Sequence, residues 1–284
     1  MGVRRTGGFP THNDGVMVPT PYPELNEALH DLVDGVEVVL ATGFVGAYLQ
    51  GSFAVGGFDE HSDADFAVVT ESELTEEQVG ALQSLHGRIF DEGKEWSKHL
   101  EGSYFPAPTL RNASRAGEEL WYLDNGHRSL ERSSHCNTVV VRWILREHGV
   151  TLAGPESDTL IDPVPVAVLR TEIANDIASW GREILAYPDR YRNRFYQSFI
   201  VLNLSRMLHD LRAGSISSKR IGADWAKLSL DPTWSDLIDR AWGGRPDPAR
   251  SVREPADATD FERTLRFVRY IMLESVRSPE GPKA

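Results

Sequence analysis

The 284-residue chain has a single cysteine, Cys136, so it can form neither an intramolecular disulfide nor a cysteine-rich metal site, and a reducing compartment is expected. It also lacks any apolar run near the roughly 20 residues that cross a bilayer. The Val139-Val140-Val141 stretch is short, and Met1-Gly2-Val3-Arg4-Arg5 has no apolar segment behind it, so no membrane partner and a cytoplasmic location are expected. Positive charge is scarce as well: 30 basic against 42 acidic residues leave a net charge of −12. The whole deficit lies in residues 1–150, with 23 acidic and 11 basic side chains, whereas residues 151–284 carry 19 of each. Without a basic face, nucleic acid is excluded as a partner. An acidic half suits a metal ion or a cationic small molecule, and it also serves plain solubility. The remaining composition, 40% hydrophobic and 25% charged, is that of a soluble globular protein, and the length favours two domains.

Residues 1–22 carry four glycines and three prolines with little apolar periodicity, and read as an N-terminal arm. Leu25, Leu29, Leu32 and Val36 follow Pro23 at spacings of three and four, which predicts a helix over 23–41. Short β-like runs follow at 44–49, 64–70 and 100–105, the last stopped by Pro106 and Pro108. Between them, Thr75 with Gln78 three residues on forms a capping-box signature for a helix to about Phe90. A helix is predicted from about Ser134 to His148, ended by Gly149. Five more helical patterns fill 166–185, 195–211, 219–228, 234–242 and 261–276. The Pro-rich stretch 155–164 reads as a linker between an α+β domain at 23–154 and an α-helical bundle at 165–278. The tryptophans at 121, 143, 180, 225, 234 and 242 fall mostly on apolar helical positions and read as core.

The chemistry concentrates between Gly51 and Asp65. Gly51-Ser52 follows an apolar strand, where glycine lets a phosphate approach the backbone closely and Ser52 adds a hydroxyl. Asp63 and Asp65 head the next strand two residues apart, so both carboxylates project to one face, where Mg²⁺ could be held beside substrate phosphates. An Asp-x-Asp at a strand end is more often a solvated turn. Such a site needs a third carboxylate, and Glu101 in the 100–105 run is the candidate, its bland alternative being an exposed glutamate on an edge strand. Glu92 and Glu95 read as solvated, Asp59 and Glu60 as loop, and His61 as a loop histidine near a phosphate or a metal ligand. Ser133-Ser134-His135 with Asp124 could imitate a hydrolase triad, but no Gly-x-Ser-x-Gly elbow is present, and His135 reads as a helix-start residue.

Gly-Ser after a strand, a Gly-rich connection, and Asp-x-Asp leading a strand together resemble the signature of the DNA polymerase beta nucleotidyltransferase superfamily. Farther on, Gly154-Pro155, Asp162-Pro163-Val164-Pro165, Leu204-Ser205-Arg206 and Lys219 with Ala223-Asp224-Trp225-Ala226 occur in the order found in aminoglycoside adenylyltransferases, the streptomycin and spectinomycin resistance enzymes. The resemblance covers about residues 45–275. It implies an N-terminal nucleotidyltransferase domain followed by a helical bundle, with ATP and Mg²⁺ as cofactors. It further implies Asp63, Asp65 and Glu101 as metal ligands, Glu101 as general base, and Gly51, Ser52, Arg206 and Lys219 as nucleotide contacts. The expected activity is AMP transfer to a hydroxyl of a small cationic acceptor by a monomer, against the alternatives of a nucleotide-binding regulator or a protein adenylyltransferase. Streptomycin-binding relatives carry a Trp and acidic side chains on the helix before Leu-Ser-Arg. Here an ungapped count gives Tyr187, Arg192 and Tyr196, with Glu183 and Asp189 as nearby acids.

Overall fold

A computed structural model of the chain describes residues 9–12, 16–59, 62–245 and 252–277. They fall into two compact units, the first holding the chain up to Phe58 and from Ser62 to Val164, the second holding Asp59 and the chain from Pro165 onward. Within the expected N-terminal arm, the described residues form an antiparallel ribbon of β1 (Phe9–His12) and β2 (Val16–Val18). Strands of three and four residues are too short to leave an alternation signal.

The first unit is built on a six-stranded sheet of β3 (Phe44–Leu49), β4 (Ala64–Thr70), β5 (Leu100–Pro106), β6 (Leu120–Leu123), β7 (Leu130–Ser133) and β8 (Val150–Ala153), in the order β7-β6-β5-β4-β3-β8. Its helices are α1 (Pro23–Leu40), α2 (Gly51–Val55), α3 (Glu76–Asp91), α4 (Ala107–Arg111) and α5 (Val139–His148). Strands β4 and β5 run parallel, joined by the α3 crossover, and their other neighbours are antiparallel. The expected capping box of α3 is present, with Thr75 Oγ1 accepting from Gln78 N and Gln78 Oε1 accepting from Thr75 N.

Helices α1 and α3 cover one face of the sheet, burying Leu25, Leu29, Leu32 and Leu82 against Leu49, Phe66 and Val68. The opposite face packs Tyr48, Ala67, Val69 and Phe105 against Leu145 of α5. Each such side chain contributes on the order of 1.5–3 kcal/mol by burial, so a one-residue slip of β4, which would exchange the Phe66 and Val68 layer for the Asp65 layer, is strongly disfavoured. Arg142 of α5 is fully buried and donates to the carbonyls of Thr109, Leu110 and Thr138 at 2.8–3.1 Å, which ties α5 to α4 without a buried unpaired charge.

The second unit consists of α6 (Val166–Ala186), α7 (Arg194–Ala213), α8 (Lys219–Ser229), α9 (Ser235–Gly243) and α10 (Ala258–Ser275), with α7 packed against the other four. Gly222 of α8 lies so close to α7 that a Cβ there would stand 2.4 Å from Arg206 Cα, a contact that admits no larger residue.

The differences from expectation are local. Strands β6, β7 and β8 have no counterpart among the expected elements, and the helix expected from Ser134 starts at Val139, because Thr138 caps it by accepting from Val141 N at 3.0 Å. The six tryptophans read as core are half-buried, and Trp96 is the one that joins the buried core. Trp242 shows why: its ring is stacked by the guanidinium groups of Arg220 and Arg245 at 4.9 and 4.3 Å, a role for an amphipathic ring at a surface.

Candidate active site

Parallel pairing of β4 with β5 sets Asp65 directly beside Glu101, so their side chains leave the same face of the sheet. Asp63 precedes β4 by one residue and Asp65 by two. The entry to this corner is fixed by the backbone: Gln50 N donates to Asp65 O at 2.9 Å, and Ala64 N to His99 O at 2.8 Å. At Gly51 the chain turns into α2 with φ +58°, and a Cβ would stand 1.9 Å from Asp65 Oδ2. Both facts require glycine, one for the left-handed backbone and one for the space the Asp65 carboxylate occupies. Next to it, Ser52 Oγ is buried without a hydrogen-bond partner among the described residues, an arrangement that leaves the hydroxyl for a ligand.

Residues outside the expected set complete the corner. The β6–β7 hairpin brings Tyr122, whose hydroxyl lies 2.7 Å from Glu101 Oε1 and 3.0 Å from Asp124 Oδ1, within donating reach of both carboxylates. Asn125 Nδ2 donates to Asp63 Oδ1 at 2.5 Å, and His99 Nδ1 lies 3.9 Å from the same oxygen. His135 stands in the turn before α5 rather than in a helix start, with Nε2 3.4 Å from Glu101 Oε1. The Glu101 carboxylate beside it raises the His135 pKa, with Asp124 and Asp65 adding to the effect against partial burial. Burial, then the Glu101 charge, pushes the Tyr122 hydroxyl and the neighbouring Cys136 thiol far above their ordinary ranges, so both stay protonated. A sequence signal for this hairpin exists in Asp124-Asn125-Gly126, a turn tripeptide after an aromatic β-like run.

The acids expected to be solvated have local partners, Glu95 with His99 at 3.4 Å and Glu92 with Arg88 and Lys94. Glu60 and His61 lie outside the described residues. In the second unit, Arg206 Nη2 donates to Asn203 Oδ1 at 3.1 Å, and Lys219 opens α8 with its ammonium 5.0 Å from the Phe199 ring centre. Phe199, Asn203 and Arg206 lie on one face of α7, so these two cations border the same α7–α8 contact.

The residues that an ungapped count sets against the streptomycin-binding positions of relatives have partners within the unit. Arg192 stacks on the Phe261 ring at 4.7 Å and pairs with Asp189 at 3.3 Å, while Glu183 accepts from the Tyr191 hydroxyl at 2.8 Å. The Tyr187 ring faces the Arg190 guanidinium at 4.4 Å, and Tyr196 packs edge-on to Tyr191. Both nearby acids are thus engaged within the unit.

Comparison with known proteins places these observations in a family. The family model described as aminoglycoside adenylyltransferase, C-terminal domain, matches residues 159–266. The chain is 32% identical over 262 residues to an aminoglycoside (3'') (9) adenylyltransferase of Klebsiella pneumoniae, covering 87% of this chain and 94% of that protein. It is 23% identical to a spectinomycin 9-adenylyltransferase of Campylobacter jejuni, over 77% of this chain and 84% of that one. The fold is similar to that of spectinomycin adenyltransferase AAD(9) from Enterococcus faecialis, solved with ATP and spectinomycin, with a TM-score of 0.64 at 16% identity over 88% of this chain and 99% of the other. By the extent of the match to the Klebsiella protein, reinforced by the family model over the helical unit, the chain belongs to the aminoglycoside adenylyltransferase family.

Proposed function

We propose that the protein transfers AMP from ATP to a hydroxyl of an aminoglycoside, and that its acceptor is of the spectinomycin rather than the streptomycin type. The observation that carries the chemistry is the in-register pair Asp65 and Glu101, with Asp63 two residues before Asp65. Asp63, Asp65 and Glu101 bring only carboxylate oxygens to this corner, the donor chemistry Mg²⁺ prefers, and the buried Ser52 hydroxyl suits a phosphate oxygen, although the cluster already within 4.8 Å among the described residues is Glu101, His135 and Cys136. Asp63, Asp65 and Glu101 would hold the ion, which when bound supplies charge neutralisation on the triphosphate. Glu101 accepts the proton of the acceptor hydroxyl as that oxygen forms its bond to the α-phosphorus and the bond to the β-phosphate oxygen breaks, releasing pyrophosphate. Tyr122 and His135 hold the Glu101 carboxylate in orientation from two sides. Arg206 and Lys219 serve as cations for the nucleotide phosphates.

The acceptor preference rests on Tyr187, Arg192 and Tyr196, which an ungapped count sets where streptomycin-binding relatives carry a Trp and acids, and on Glu183 and Asp189 being engaged by Tyr191 and Arg192. An arginine in place of an acid repels a guanidinium-bearing drug. The deciding assay is transfer from α-labelled ATP with spectinomycin and with streptomycin. Label on spectinomycin is expected; label on streptomycin alone would overturn the acceptor assignment, and label on a protein, or on neither drug, would overturn the small-molecule transferase.

A further inference from the structure

We propose that Glu101, His135 and Cys136 form an inhibitory site for a thiophilic divalent cation of the zinc type, which shares Glu101 with the all-oxygen set of Asp63, Asp65 and Glu101 but adds an imidazole and a thiol. One ligand atom from each of the three residues lies within 4.8 Å of the other two, among the described residues. Bond lengths of about 2.0–2.3 Å to tetrahedral Zn²⁺ place two ligands roughly 3.3–3.7 Å apart, so the cluster needs a contraction of about an ångström. His135 can provide it, because its side chain is 67% exposed and sits in a turn. The other two ligands are better fixed, Glu101 by strand β5 and the Tyr122 hydroxyl, and Cys136 by its burial between β7 and α5.

The donor types decide the metal. Thiolate and imidazole select Zn²⁺ over Mg²⁺, which prefers oxygen and retains its waters. Without metal, Cys136 is a protonated thiol, because burial and the Glu101 charge oppose the thiolate. Binding releases that proton to solvent as the sulfur bonds to the metal, and the positive ion removes the cause of the opposition. The Ser103 hydroxyl lies on the same strand face and favours the thiolate. A fourth position is left to water. Occupation of this site takes the Glu101 carboxylate, so it should halt AMP transfer; this consequence, but not the binding itself, rests on the function proposed above.

The test uses the full-length protein without nucleotide. Titration with Co²⁺ should produce a thiolate-to-cobalt charge-transfer band that is absent in Cys136→Ser. Zn²⁺ affinity, measured by competition with a chromogenic chelator, should weaken roughly tenfold or more in Cys136→Ser and in His135→Ala, while Asp63→Asn, which removes a carboxylate of the other set, changes it little. Equal Zn²⁺ affinity in wild type, Cys136→Ser and His135→Ala, or loss of affinity in Asp63→Asn alone, would overturn the site. Thermal melts show whether Cys136→Ser folds; if it does not, the exposed His135→Ala variant decides the same question. Inhibition of transfer by Zn²⁺ in excess Mg²⁺, relieved in Cys136→Ser, tests the consequence. Absence of transfer under every condition would sink the transferase reading and leave the metal titration to decide this one.

Discussion

The active-site corner of the first unit and the α9–α10 contact of the second handle charge in opposite ways. In the first, acids are drawn together: Asp65 beside Glu101 by strand register, and Glu101 and Asp124 within reach of one Tyr122 hydroxyl. In the second, acids are matched: Asp236 accepts from Arg263 at 2.7 and 2.8 Å and from Arg240 at 3.0 Å, and Asp260 accepts from Arg240 at 2.7 and 2.8 Å. Collecting like charges costs folding free energy and creates a place for a cation, whereas matching them serves the fold. An acidic residue should therefore matter to catalysis at the first place and to stability at the second.

The sharpest way to break this contrast is Asp65→Asn. Transfer should fall by roughly 10³-fold or more, the scale of losing a preorganised charge at the reacting centre, while the melting temperature of the unliganded protein holds or rises. Near-normal transfer, or a clear drop in melting temperature, would erase the distinction. Glu101→Gln should lower turnover by about 10²–10⁴-fold, as for loss of a general base, with ATP binding still measurable by calorimetry. If turnover persists, Glu101 is not the base.

A third prediction separates the units by pH. His86 of α3 is buried with Nε2 2.7 Å from the Tyr104 hydroxyl, and burial pushes its pKa down to about 4. The folded state holds the neutral ring, so its contribution is complete above the ordinary value near 6.5 and is lost as pH falls toward about 4, on the order of 3 kcal/mol in total. Hydrogen exchange in α3 and β5 should accelerate across that window and exchange in α7 should not. His86→Gln should remove the difference; an unchanged pH profile in that variant would assign it to other groups.

The smallest expected effect is Asp236→Asn. Arg263 and then Arg240 hold this exposed carboxylate well below its usual range, so its stabilising contribution is present above pH about 3.9 and lost below it. Because the group is solvent-screened, a fall of at most a few degrees in melting temperature at neutral pH is expected, with transfer unaffected. A large loss of activity would show that this matched cluster also serves chemistry.

The same division governs what is legible in the sequence. Each α-helix described in the second unit can be read within a few residues of its ends, because periodicity, Ser218 before α8 and Gly214 after α7 are local signals. In the first unit, the longer strands are visible, but β6, β7 and β8 are four-residue elements too short to show an alternation. The site divides along that line. Asp63 and Asp65 can be placed from a contiguous motif, and Glu101 from a β-like run, whereas Tyr122, Asn125 and His135 reach the carboxylates through a hairpin that the apolar pattern does not reveal. His135 shows the cost most plainly: with no β7 expected before it, the turn that carries it merges with the following helix.

The parallel pairing of β4 with β5 also has a bearing on the order of assembly. Antiparallel neighbours such as β6 and β7 can zip from a hairpin turn, but Asp65 and Glu101 meet only after the whole α3 crossover has docked. Closing so long a connection makes this contact a slow one. A nascent chain that has emerged no farther than β4 carries Asp63 and Asp65 without the third carboxylate. On the proposed site, the third carboxylate joins the two aspartates only when the α3 crossover closes, so metal binding can serve as a kinetic probe for the pairing of β4 with β5.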